Sequence, residues 1–123
     1  MTGNPHFHKD EALRSDPRAT AAINAIDSYQ WSHGLLEQAS RDLANHVATR
    51  SSCERVAYDA LNIPKGDGKL PTQTWLMANL DLNPVFADWR QIRNTLEAEY
   101  LTRQGDASVA KLKAELAVKL VQP

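Results

Sequence analysis

One cysteine, Cys53, stands in the whole chain. No internal disulfide is possible, so the fold needs no covalent staple and no oxidising compartment is implied. A surplus of one charge is missing too. The 14 basic and 15 acidic side chains are spread along the length and leave a net charge of −1. Without a basic field, a broad footprint on nucleic acid or on an anionic membrane is not indicated. No apolar stretch approaches the roughly 20 residues that cross a bilayer. The opening MTGNPHFHKDEALRSDP has no basic segment followed by an apolar run, so it does not read as a signal peptide. Nor does any stretch alternate apolar and polar residues long enough to make a strand. These exclusions leave a helical protein, with the cytoplasm as its default place.

What is present fits that outline. Apolar residues make up 42% of 123 residues, enough for one domain with a real core. Residues 1–14 read as a polar, flexible arm and residues 15–123 as a single helical domain. Asp16 and Pro17 form a helix start, a capping side chain followed by a residue whose missing N–H costs nothing there. Ala19, Ala22, Ile23, Ile26 and Tyr29 then recur at three- and four-residue steps, the mark of one buried face. Gly34 predicts a kink or break near 32–34, since glycine costs a helix about 1 kcal/mol relative to alanine. Leu35, Leu36, Ala39, Leu43 and Val47 mark the next apolar side. Ser51 and Glu54 have capping-box spacing and predict a fresh helix carrying Val56, Ala57, Ala60 and Leu61.

NIPKGDGKLP is the clear loop, with Thr72 as the cap of a short helix beyond it. Asn83 and Pro84 open a long run with a stripe of Val85, Trp89, Ile92, Leu96 and Tyr100, flanked by an Arg93–Glu97 pair. Gly105 is expected to end that helix and Asp106 to cap a last one burying Val109, Leu112, Leu116 and Leu120. The reading is all-α: a compact bundle of about five or six helices with a C-terminal antiparallel helical hairpin.

Residues 40–55, SRDLANHVATRSSCER, hold the densest group of reactive side chains. On a helix, Arg41, Asp42, Asn45 and His46 border one polar sector beside the apolar side of Leu43. RDLANH, from Arg41 to His46, resembles the RxxxxH element of the HEPN ribonuclease family. The resemblance implies RNA cleavage in a cleft between two helical protomers. His46 would handle the proton of the ribose 2′-hydroxyl, Arg41 would hold the phosphate, and Asp42 would take the polar-neighbour role. The plainer reading, a half-buried histidine paired with Asp42 at a helix margin, is preferred.

Other residues point to structure. Cys53 sits near a helix N-terminus, where a thiol can gain reactivity, but it lacks an orienting group and reads as a small apolar core residue. His6 and His8 with Asp10 and Glu11 do not match a metal-site spacing, and whether the two histidines bind a metal is left open. His33 has no partner at a diagnostic spacing. KGDGK lacks the glycine spacing and flanking elements of a P-loop. The helices around 52–62 and 73–80 are too far apart for a helix-turn-helix. Of the tryptophans, Trp89 belongs to a core stripe, while Trp75, just after the flexible loop, is the best candidate for partner binding; Trp31 has no assignment.

With no convergent reactive group, the expected function is that of a non-catalytic helical subunit, adaptor or inhibitor. It would use no cofactor and bind another protein or a second copy of itself. Cleavage of RNA through Arg41 and His46 is the alternative, and a nucleic-acid accessory role is the third.

Overall fold

The computed structural model describes residues 16–122. They form four helices: α1 Pro17–Val47, α2 Arg50–Leu61, α3 Gln73–Leu80 and α4 Pro84–Val121. Every regular element among these residues is helical, as the periodicity predicts, but the helices are fewer and longer than the expected five or six.

Both missing breaks were expected at glycines. α1 runs through Gly34 and α4 runs through Gly105, so the expected C-terminal hairpin is one continuous 38-residue helix. A glycine ends a helix when it turns to positive φ and its N–H reaches back to the last carbonyls. Among the described glycines only Gly68 has positive φ, at 77°. The other penalty, about 1 kcal/mol, is small against two long runs of good helix formers. A Cβ at Gly34 would meet nothing within 4 Å. Gly34→Ala should therefore raise the unfolding free energy by about 0.5–1 kcal/mol, measured by urea denaturation.

The starts follow the sequence signals more closely. Asp16 Oδ1 accepts from the Arg18 N–H at 2.9 Å, Thr72 Oγ1 from Trp75 at 3.2 Å, and Asn83 Oδ1 from Val85 at 2.9 Å. α2 is the exception. Its N-cap is Thr49, whose side chain makes no capping bond, and Glu54 pairs with Arg50 at 2.8 Å instead of closing a box with Ser51.

The described chain groups into two compact units. One joins residues 16–38 to residues 101–122; the other comprises residues 39–100. Residues 1–15 lie outside the described part.

In the first unit, α1 and α4 run antiparallel. Asn24 and Ser28 line a groove with Asp106 and Lys113, and further along α1 His33 and Leu36 line one with Gln104 and Lys111. The buried residues here are Ala19, Ala22, Ala107 and Ala114. On α4 the inward positions are 103, 107, 110, 114 and 117, and on α1 they are 22, 25, 29, 32 and 36. Both sets alternate steps of three and four, the heptad period of a coiled-coil seam. Small side chains at a helix contact let the two backbones approach closely.

The second unit has a mixed core. Ala57, Phe86 and Trp89 cluster, with Cys53 and Leu80 packed against them. Leu76 of α3 is 2% exposed and Ala57 of α2 is fully covered. Phe86 takes the inward place expected for Val85, and Ile92 and Val56 face outward.

Candidate functional site

Two features stand out, one in each unit. The first joins the end of α1 to α4 within the second unit. The rings of His46 and Trp89 stack at 4.9 Å and 19°. His46 Nε2 lies 2.9 Å from the Trp89 carbonyl, which can only accept, so Nε2 carries the proton. In return Trp89 Nε1 donates to Thr49 Oγ1 at 3.0 Å and to the His46 carbonyl at 3.3 Å. Thr49 Oγ1 itself donates to that same carbonyl at 2.6 Å. Arg50 and Arg93 set their guanidinium groups 5.9 and 5.5 Å from the indole centroid. The Trp89 indole is thus satisfied at its N–H and covered on its faces, which makes it an anchor for the turn between α1 and α2.

This arrangement bears on the RDLANH element. Arg41 and Asp42 are exposed on α1, whereas His46 is half-buried and committed through ring face and Nε2 to Trp89. His46→Ala removes one cross-helix hydrogen bond and one stacked ring, and should lower stability by about 1–3 kcal/mol. The shift of the denaturation midpoint measures it.

Cys53 is half-buried against the core, with its Sγ 3.7 Å from the Val85 carbonyl. Gly68, in KGDGK, sits in a tight turn. Its N–H donates to the Lys65 carbonyl at 2.8 Å, and Asp67 Oδ1 accepts from the Lys69 N–H at 3.0 Å. His33 pairs with Glu37 one turn on, at 3.0 Å. Among the described residues, no three His, Cys, Asp or Glu side chains come together as metal ligands, and no helix is long and apolar enough to cross a membrane. His6 and His8 lie outside the described residues.

Trp75 is 39% exposed, with Lys65 Nζ 5.6 Å above its ring. Next to it on α3, Gln73 and Met77 border an open groove of about 330 Å³ with Arg55 and Tyr58 of α2. The groove is shallow and its wall is closed by a Tyr58–Gln73 hydrogen bond of 3.2 Å.

The second feature is the outer side of α4 in the first unit. Val109, Leu112, Leu116 and Leu120, expected in the core, are 52–66% exposed, and Leu101 joins them at 62%. At 100° per residue their mean direction lies about 150° from that of the inward positions 103, 107, 110, 114 and 117. α4 therefore carries two apolar stripes on opposite sides. The small one meets α1; the large one faces out, with Val109 at its edge also bordering the groove beside Asn24 and Ser28.

Comparison with protein-family models, curated proteins and solved structures finds no match to this chain. Function must be argued from these two features alone. Every residue of the outer stripe except Leu101 is recognisable from its spacing, but the stripe is exposed and not in the core. A signal for this existed. The alanines 107, 110, 114 and 117 form a second, equally regular series, and one helix side cannot hold both.

Proposed function

We propose that this chain is a non-catalytic interaction or assembly protein, a small helical subunit, adaptor or inhibitor that works by offering the outer stripe of α4 to a protein partner. The observation that supports it most is the stripe itself. Five large aliphatic side chains on one helical face, each more than half exposed, form the kind of contiguous patch that marks an interaction site. Apolar residues repeating at three and four positions suit a helix or helical groove as counterpart. The reactive side chains speak for the same reading, since His46 is occupied in holding Trp89. One unpaired thiol, half-buried, suits a reducing compartment such as the cytoplasm.

Photo-crosslinking residues placed at Leu112 and Leu116 should give adducts of defined stoichiometry with a protein. The same residue at Asp59, exposed on α2, should give none. Leu112→Asp with Leu116→Asp should abolish the association while leaving helix content unchanged. Adducts formed equally from Asp59, or an association that survives the double substitution, would contradict the proposal.

A further inference from the structure

The outer stripe has a gap, and the gap points to what covers it. Leu101, Val109, Leu112, Leu116 and Leu120 share the face with Gly105, one turn from both Leu101 and Val109. A Cβ at Gly105 would meet nothing within 4 Å, and its helix runs straight through. Neither a turn nor a close intramolecular approach calls for glycine here. A hollow in an otherwise bulky row does suit an incoming side chain.

We infer that the stripe is the self-association surface of this chain, with α4 packed antiparallel on α4 of a second copy about a two-fold axis through Val109. The inference rests on the reading of the stripe as a docking surface and narrows it to one partner. A two-fold contact requires a patch that complements itself. With Val109 opposite its own copy, Gly105 falls opposite the interval between Leu112 and Leu116 of the second chain, so each hollow receives the other's leucines. Leu101 falls between Leu116 and Leu120 in the same way.

The charges beside the stripe agree with this register. Asp106 and Lys113 lie on the same flank of α4, about 70–90° from the centre of the stripe. Antiparallel packing about Val109 sets Asp106 of each copy beside Lys113 of the other, two opposite-charge pairs from one contact. A parallel two-fold pairing would put this flank of one copy on the opposite side of the seam from that of the other and form neither pair.

Size agrees as well. Each half-exposed leucine or valine offers on the order of 100 Å², so five from each chain make at most about 1,000 Å² in the pair, at the threshold for a specific interface and in keeping with a dimer that dissociates on dilution. Residues 1–15 offer only Met1, Phe7 and Leu13 as large apolar side chains, fewer than the stripe itself holds.

The full chain should sediment as a dimer that dissociates on dilution through the micromolar range. Asp106→Lys and Lys113→Asp should each weaken it by about tenfold, and the two together should restore it, because the pairs re-form with signs exchanged. In a Cys53→Ser background, Val109→Cys should oxidise readily to a disulfide dimer, whereas Leu120→Cys, which antiparallel packing holds far from its counterpart, should not. A monomer at every concentration would overturn the inference, as would a dimer indifferent to Leu112→Asp with Leu116→Asp or equal crosslinking at both cysteines. A monomer whose stripe binds a different protein would overturn it too, while leaving the broader reading of the surface intact.

Discussion

Replacing Trp89 by alanine is expected to cost about 3–5 kcal/mol of unfolding free energy, more than any other single truncation in the second unit. Trp89 is 5% exposed and touches every layer of its surroundings. It packs on Phe86 at 5.7 Å and on His46 at 4.9 Å, and clusters with Ala57. Its N–H satisfies Thr49 and the His46 carbonyl. Alanine would leave a cavity, and would also withdraw the donor that steadies the short turn between α1 and α2. A fall of more than about 10 °C in Tm should accompany the change. Trp89→Phe, which keeps a ring but loses the donor, should cost distinctly less. Equal losses from the two variants would show that the hydrogen bonds, and not the ring, carry the anchor.

The second large effect contrasts two residues on one helix, two positions apart. Ala114 is 8% exposed and Leu116 is 60% exposed. Ala114→Leu adds bulk to a small-residue seam and should destabilise by about 1–3 kcal/mol. Leu116→Ala, a substitution that costs about 2–5 kcal/mol in a core, should stay within about 0.5 kcal/mol when the chain is dilute. Chemical denaturation of both variants at low concentration decides between them. Ordinary intuition ranks these two changes the other way round. The inverted order is a direct consequence of which stripe faces α1.

Helical character and three of the four helix starts are legible in the sequence, because capping is local chemistry; the start of α2 is not, since Thr49 rather than Ser51 precedes it. Asp16, Thr72 and Asn83 each bond an N–H two or three residues on. Helix ends and helix faces were less legible, for different reasons. Gly34 and Gly105 signal an end only if their backbones turn to positive φ, and tertiary packing along a continuous seam decides that. The face of α4 was misassigned because periodicity reports that a stripe exists without saying what lies against it. Two stripes of different side-chain size share this helix, and hydrophobicity favours the wrong one.

Charge marks the region around His46 in the sequence, yet what distinguishes it is the reach to Trp89, 43 residues away. No local pattern announces that contact. Trp89 is buried as its stripe predicts, but Val85 and Ile92 of the same stripe are about half exposed and Phe86 is buried in their stead. Trp75 remains exposed beside Lys65, a second point at which a partner touching the outer surface of α3 would find an aromatic ring.

Everything proposed for this chain depends on the rotation of α4 about its own axis. Nitroxide spin labels placed one at a time from 107 to 120 and read by electron paramagnetic resonance would report that rotation directly. Labels at 107, 110 and 114 should be immobile at every concentration. Those at 109, 112, 116 and 120 should be mobile in dilute solution and lose mobility only as the chain associates. Immobile labels at 109, 112, 116 and 120 at the highest dilution, with mobile ones at 107 and 114, would turn the helix by nearly half a revolution and contradict the account.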